Sequence, residues 1–473
     1  MRVTAIDQGT TSTRAFVLDE RGDGSIVHSC THQQYYPKTG WVEHDPEELL
    51  ANIKRCLDAA GAVDAIAIAN QGESCLAWDR DSKEAISPVI VWQDRRTESV
   101  VSRLKKEGAE ALTLSKAGLP LDAYFSGSKL GWIVKNIPAA KILLDQGRLR
   151  LGTTDAFFLD RLTGQFATDV TTASRTSLFN IQTLEWDIDL CALFGVPIEA
   201  LPPIKPTMDD FGMIDGIGGP VPVKANVVDQ QASLYGHGCR KEGDIKITFG
   251  TGAFVLAVTD TNPLETSDNG LLPTIAWQKP DAAPVYALDG GVYCASSALN
   301  WAKSLGLFTD FSDINSFSTR SAISRNLVFV PALTGLGCPH WDGAASGLWL
   351  GMSLDTTSQD MVQAILEGIA FRTAEVVHAI SKQIPVGMRI SIDGGMSSNP
   401  YFCQFLSTVL QKQIAVTSVS ELTALGAAMM AMACDVTDTA ITANERVYYP
   451  QASRRGDYQL FAQAVSVSQN WKR

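Results

Sequence analysis

The 473-residue sequence contains no Gly-Lys dipeptide, which excludes the G-x-x-x-x-G-K-[ST] phosphate loop. It contains no G-x-G-x-x-G either, which argues against the dinucleotide fingerprint that opens a helix after a strand. C-x-x-C pairs are also missing. The nine cysteines stand singly, and no Cys pair joins a His pair in a zinc-type set. That scatter argues against a zinc site or a disulfide framework and for free thiols in a reducing compartment, so a cytoplasmic protein is expected. Runs of basic residues are lacking, and 39 basic against 51 acidic side chains give a net charge of −12. Such a surface repels a phosphate backbone, so nucleic acid is not expected as a partner. No apolar run is long enough to span a bilayer; the longest, around Ala424 to Cys434, sits in a helical pattern, and no membrane role is expected. A strand-like stretch, Arg2 to Ile6, follows the first Met directly, so no leader peptide is expected.

The length argues for two large domains rather than one core. Short β-rich segments alternate with helical periods, which is the pattern of an α/β fold. Arg2–Ile6 and Ala15–Leu18 read as a hairpin split by a Gly/Thr turn, and Ile66–Ala69 as a buried strand. Leu49–Ala59, Ser126–Asn136 and Gln359–Ile380 have helical periods, and the Pro/Gly-rich stretch Leu201–Pro222 reads as loop. A weak internal repeat links the halves. Gly9-Thr10 precedes Ala15-Phe16-Val17-Leu18, and Gly250-Thr251 precedes Ala253-Phe254-Val255-Leu256. Two related domains follow, 1–237 and 238–473, divided near Tyr235–Cys239 after an Asp229-Gln230-Gln231 strand end.

With the common nucleotide loops absent, another device must hold phosphate if ATP binds. Asp7-Gln8-Gly9-Thr10-Thr11-Ser12-Thr13-Arg14 offers one. Glycine lets backbone approach an anion, and successive N–H groups in a tight turn form an anion-binding concavity. Thr10, Thr11 and Ser12 add hydroxyl donors, and Arg14 adds a charge for phosphate oxygens. Asp7 is placed to hold a hydrated Mg²⁺, which favours one or two carboxylates plus phosphates. Thr248-Phe249-Gly250-Thr251-Gly252 is a second such turn. Ile392-Asp393-Gly394-Gly395-Met396-Ser397-Ser398-Asn399 is a third, ending in helix N-cap chemistry.

Together with these turns, further stretches resemble the FGGY carbohydrate kinase family, glycerol kinases above all. Tyr36-Pro37-Lys38-Thr39-Gly40-Trp41-Val42-Glu43-His44-Asp45-Pro46 is nearly that of glycerol kinases. Tyr124-Phe125-Ser126-Gly127-Ser128-Lys129 with Trp132, and Gly347 to Glu367, are similar to the two family signatures. Ser174-Arg175-Thr176, Thr334-Gly335-Leu336-Gly337 and Thr423-Ala424-Leu425-Gly426-Ala427 match as well. The resemblance implies two actin-like (ribonuclease H-like) ATPase domains with ATP in the cleft between them, and a homodimer or homotetramer. It implies that Thr10, Thr11, Ser12 and Arg14 meet the β- and γ-phosphates. Thr251, Gly395 and Asn399 would surround the nucleotide, with Ser296 and Asn300 where the family carries Gly and Gln. Asp229 corresponds to the carboxylate that takes the acceptor's hydroxyl proton, and phosphoryl transfer needs such a base close by.

For the acceptor, a small polyol, the resemblance implies Glu73, Tyr124, Asp229 and Gln230 as polar contacts and Trp92 and Phe254 as an apolar wall. One departure stands out. Glycerol kinases carry Asn-Gln-Arg-Glu-Thr where this chain reads Asn70-Gln71-Gly72-Glu73-Ser74, so Gly72 replaces an arginine that contacts glycerol. A hydrogen bond from a charged donor contributes roughly 1.5–3 kcal/mol, so the loss matters. Three consequences are open: another residue such as Arg95 or Arg96 supplies the donor, the pocket takes a longer polyol, or water fills the gap. Glycerol is the expected acceptor, a four- or five-carbon polyol or sugar the alternative, and an actin-like ATPase without metabolite kinase activity the remote one. Gly216-Ile217-Gly218-Gly219-Pro220-Val221-Pro222 replaces the basic loop that binds fructose 1,6-bisphosphate in some relatives and has no Lys or Arg, so no such inhibition is expected.

Overall fold

The computed structural model describes residues 1–216, 218–261, 270–419, 421–433, 445–452 and 455–471. Two sheets dominate it. The first is six-stranded and is built from β1 (Arg2–Gln8), β2 (Ser12–Asp19), β3 (Gly24–Thr31), β4 (Ala65–Asn70), β5 (Met213–Gly216) and β6 (Gly219–Val228), in the order β5-β6-β4-β1-β2-β3. The second is seven-stranded: β7 (Ile245–Phe249), β8 (Ala253–Val258), β9 (Leu272–Trp277), β10 (Val285–Val292), β11 (Arg389–Gly394), β12 (Gln413–Val416) and β13 (Arg446–Tyr448), in the order β9-β10-β8-β7-β11-β12-β13.

The repeat suspected in the sequence is a repeat of topology. In the first half β3·β2·β1·β4·β6 runs antiparallel, antiparallel, parallel, parallel. In the second, β10·β8·β7·β11·β12 has the same order and senses. The Gly-Thr turns occupy equivalent places, residues 9–11 between β1 and β2 and residues 250–252 between β7 and β8. β4 reads AIAIAN and is buried at every position, as expected of a parallel strand covered on both faces.

Helix boundaries follow local chemistry. Helix α1 (Pro46–Ala60) starts three residues before the periodic stretch because the Asp45 side chain accepts from Glu47 N and Glu48 N and Pro46 takes the first turn. Helix α2 (Ser126–Asn136) coincides with the periodicity. Two expectations fail. Asp229 does not end a strand; it is the first residue of helix α3 (Asp229–Gly236), directly after β6. Leu201–Pro222 is not all loop, because it holds β5 and the start of β6, whose Pro220 and Pro222 lie opposite Asp215 and Met213 beyond the parallel pairing with β4. Ile217, in the glycine-rich turn, lies outside the described residues.

The remaining helices that matter are α4 (Ser296–Ser304), α5 (Ser358–Ser381), α6 (Pro400–Leu410) and α7 (Leu422–Ala431). The 24-residue α5 opens on a capping box between Thr357 and Asp360. The chain passes between the sheets over residues 237–244. Below the cleft, α3 and α7 cross at backbone contact: a Cβ on Gly236 would lie 2.0 Å from Leu422 O, and one on Gly426 1.9 Å from Ala232 O. Only glycine fits there. Around the crossing, Val3, Ala67 and Val227 share one apolar cluster with Leu256, Ala287 and Ala428, which joins the two halves.

Candidate active site

β1, β4 and β6 are parallel neighbours, and Gln8, Asn70 and Val228 stand level at their carboxyl ends. Ligands of open α/β sheets collect at such ends. Here the three ends deliver the Gly9–Ser12 turn, the Gln71–Ser74 bend and Asp229.

The first turn is held from outside. Gly9 N donates to Ser12 O at 3.0 Å. Thr10 O accepts from His32 Nε2 at 2.8 Å and Gln34 Nε2 at 3.3 Å, and Thr10 Oγ1 accepts from Trp92 Nε1 at 3.0 Å. Trp92 is therefore more than the apolar wall read from the sequence. Thr11 is exposed and Ser12 half-buried. Asp7 and Arg14 stand opposite each other in the β1–β2 ladder. Arg14 Nη1 reaches across the cleft to Glu421 Oε2 at 2.9 Å, just before α7.

A cavity of about 160 Å³ opens beside this turn. Thr10, Gly72, Glu73, Trp92 and Tyr124 line it together with Asp229, Gln230 and Phe254, so every acceptor residue expected from the sequence faces one space. Glu73 sits at φ 60°, a left-handed conformation that a side chain adopts only when its surroundings hold it there. Its Oε1 accepts from Arg175 Nε at 2.7 Å. The Tyr124 ring meets Trp92 edge-on with centroids 5.5 Å apart. Asp229 Oδ1 accepts from Gln230 N at 2.6 Å. Gln230 Oε1 accepts from Lys246 Nζ, which also donates to Thr248 Oγ1 at 3.0 Å, and this orients the Gln230 amide at the cavity.

Sequence reasoning missed Arg175, Asp289, Val228 and Lys246. Arg175 was noted within Ser174-Arg175-Thr176, but nothing in the pattern tied it to the Glu73 bend 102 residues away. The candidates for a replacement donor, Arg95 and Arg96, lie elsewhere. Arg95 is on the surface with Glu98, and Arg96 is buried between Glu43 and Asp94 with its guanidinium 3.8 Å from the Trp41 ring.

The residues expected around the nucleotide form a second group. Ser296 N donates to Gly250 O at 3.1 Å and Ala295 N to Thr251 O at 2.9 Å, which seats the β7–β8 turn on the start of α4. Gly395 lies beside it: a Cβ there would be 4.0 Å from Ser296 Oγ. Asn300, four residues past Ser296 on the same helix face, is exposed, as is Thr251. Asn399 differs. It is buried, its Oδ1 caps α6 by accepting from Phe402 N at 2.8 Å, and its Nδ2 donates to Ile314 O at 2.9 Å, which orients the amide and leaves it one N–H and one oxygen lone pair.

The whole length of this arrangement is matched by known proteins. Residues 2–236 match the N-terminal domain of the FGGY family of carbohydrate kinases, and residues 245–434 match its C-terminal domain. The chain belongs to the FGGY family of carbohydrate kinases. It is 39% identical to a glycerol kinase of Haloferax volcanii over 91% of this chain and 89% of that one. A glycerol kinase of Thermus brockianus is 38% identical over 99% and 98%. The crystal structure of Plasmodium falciparum glycerol kinase with ADP superposes at a TM-score of 0.91, with 30% identity and 99% and 98% covered. A xylulose kinase from Rhodospirillum rubrum, at 22% identity and TM-score 0.85, shares the fold. As an FGGY kinase the protein is a phosphotransferase with an alcohol group as acceptor.

The electrostatics of this kinase's cavity are dominated by burial. Asp229 is pushed up to about 7, by burial first and then by the charges of Asp7 and Glu73. Asp7 is raised to about 6 by burial, against the pull of Arg14. Burial likewise raises Glu73 and Asp289 despite the opposing pull of Arg175. Burial works against the charge of Arg175, and Glu73 and Asp289 outweigh it and hold the guanidinium protonated. Lys246 is lowered by burial, although Asp393 and Asp229 oppose this. Among the described residues no group of three or more His, Cys, Asp or Glu could hold a metal alone. The charge of Asp7 raises Asp229 across the cleft, and Asp7, a single carboxylate, suits a hydrated Mg²⁺ brought in with phosphates.

Proposed function

We propose that the protein is an ATP-dependent glycerol kinase, forming glycerol 3-phosphate. The carrying observation is that Thr10 of the phosphate-type turn and Asp229 line the same small cavity. Three carboxylates, Glu73, Asp229 and Asp289, face one guanidinium there. That balance disfavours a carboxylate- or phosphate-bearing acceptor and suits a neutral polyol. Trp92 and Phe254 offer apolar surface to its carbon chain.

Mg²⁺ held through water by Asp7 would neutralise the phosphates as they transfer. The turns around Thr10, Thr11, Ser12 and Thr251, with Ser296, Asn300 and Gly395 beyond, bind the nucleotide from both halves of the cleft. Arg14 grips phosphate once Glu421 releases it. Asp229 accepts the proton of the attacking hydroxyl, and a carboxyl that titrates near 7 is well matched to that task. Glu73, Tyr124 and the Gln230 amide orient the remaining hydroxyls. Closure about the α3–α7 crossing keeps water from competing for the phosphoryl group.

A coupled ADP-release assay over glycerol, erythritol, threitol and pentitols tests the reading, with Asp229→Ala as the blank. Glycerol should give the highest kcat/KM. ADP release indifferent to every polyol would refute the kinase reading, and transfer persisting in Asp229→Ala would refute the base.

A further inference from the structure

Arg175 and Asp289 line the cavity, come from distant parts of the chain and are almost fully buried, at 6% and 8% exposure. Each is only partly satisfied. Arg175 Nε donates to Glu73 and its Nη2 lies 3.2 Å from Asp289 Oδ2, but among the described residues Arg175 Nη1 has no hydrogen-bond partner. Asp289 Oδ1 has none either. A leftover donor beside a leftover acceptor, both buried at a cavity wall, is costly unless a ligand completes them. A hydroxyl accepts and donates at once and can satisfy both.

The neighbouring wall sets the room available. Position 72 carries no side chain, yet the space above it is not open. A Cβ built there would lie 3.1 Å from Val228 Cγ1 and 3.8 Å from Cγ2, and Val228 lines the same cavity. Glu73, one residue on, is fixed by its bond to Arg175, so this wall cannot retreat without breaking a buried ion pair.

We infer that the Arg175–Asp289 pair binds a non-reacting hydroxyl of the acceptor, and that Val228 packed over Gly72 limits the acceptor to three carbons. This rests on the reading of the protein as a polyol kinase. Arg175 and Asp289 are then the determinants that count hydroxyls, and Val228 the one that counts carbons.

The test is a cycle of substrates against variants. Wild type should use propane-1,2-diol and propane-1,3-diol at least tenfold less efficiently than glycerol in kcat/KM. In Arg175→Gln glycerol should lose about ten- to a hundredfold, while one of the two diols is barely affected, so that its ratio to glycerol approaches one. A variant that loses glycerol and both diols in equal proportion would show a merely structural role and overturn the inference. If Arg175→Gln does not fold, Arg175→Lys keeps the charge, loses the fork and is read in the same cycle. Val228→Ala leaves every ion pair intact and should raise erythritol relative to glycerol by about tenfold. An unchanged ratio, or a wild type that already prefers erythritol, would overturn the carbon count. A wild type inert toward all polyols would instead sink the parent reading, and this inference with it.

Discussion

Asparagine at position 229 should abolish turnover and at the same time make the protein harder to unfold in alkaline buffer. The Asp229 carboxyl stands at about 7 rather than 3.8, because burial and then the charges of Asp7 and Glu73 oppose its ionisation. That displacement corresponds to a ceiling of about 4 kcal/mol between the two protonation states. The sign follows from counting protons. Below 3.8 the folded and the unfolded chain both keep the proton, and Asp229 carries no penalty. Between 3.8 and about 7 the unfolded chain releases it while the folded chain retains it, so stability falls as pH rises. Above about 7 the full cost is present, and asparagine removes it. Thermal melts of wild type and Asp229→Asn in magnesium-free buffer at pH 5 and pH 8.5 measure the difference. The variant should melt several degrees higher at pH 8.5 and gain clearly less at pH 5. ADP release with glycerol should fall by at least about a hundredfold. Equal gains at both pH values, or a lower melting point for the variant at pH 8.5, would refute the account of Asp229 as a carboxylate charged against its surroundings.

The same electrostatics predict an acid limb in kcat/KM below about pH 7, moving to lower pH in Asp7→Asn because a like charge is removed, as a pH–rate series would record. Glu421→Gln should free Arg14 and lower KM for ATP about two- to fivefold, an effect that shrinks as salt is added, since the pair is partly exposed. Gly426→Ala should depress the melting temperature by the equivalent of about 1–3 kcal/mol, because its methyl would meet Ala232 O at 1.9 Å where two helix backbones touch.

Where the fold was legible in the sequence, a local signal with a physical cause was at work. Asp45-Pro46 announces a helix start, AIAIAN a doubly covered strand, and the Gly-Thr turns betrayed a duplication that the strand orders repeat. Illegible features were set by distant partners. Helix α3 has an ordinary composition, and its start at Asp229 follows from where β6 ends beside β4. The acceptor residues were readable because they fall within contiguous motifs. Arg175 and Asp289 became visible only once the chain had folded, because their role lies in meeting Glu73 and each other. Asn399 was readable as a helix cap, but its second bond, to Ile314 O far off in sequence, was not.

Four carboxylates crowd the cleft, and their partners sort them into roles. Glu73 is bonded to Arg175 Nε, and Asp289 is paired with the same guanidinium. Asp7 stands opposite Arg14 on the neighbouring strand. Asp229 alone has no guanidinium beside it: a backbone N–H from Gln230 and the field of Lys246 are what favour its charge, against burial and two like-charged neighbours. No ion pair therefore offsets the burial of the Asp229 charge, and a proton offered by an alcohol in the same cavity is well received. The fold achieves this by placing Asp229 at the junction of β6 and α3, where helix geometry and the Gln230 amide fix it without supplying a counter-ion. Moving an arginine to within pairing distance of Asp229 would stabilise its charge and, by the same step, weaken it as a base.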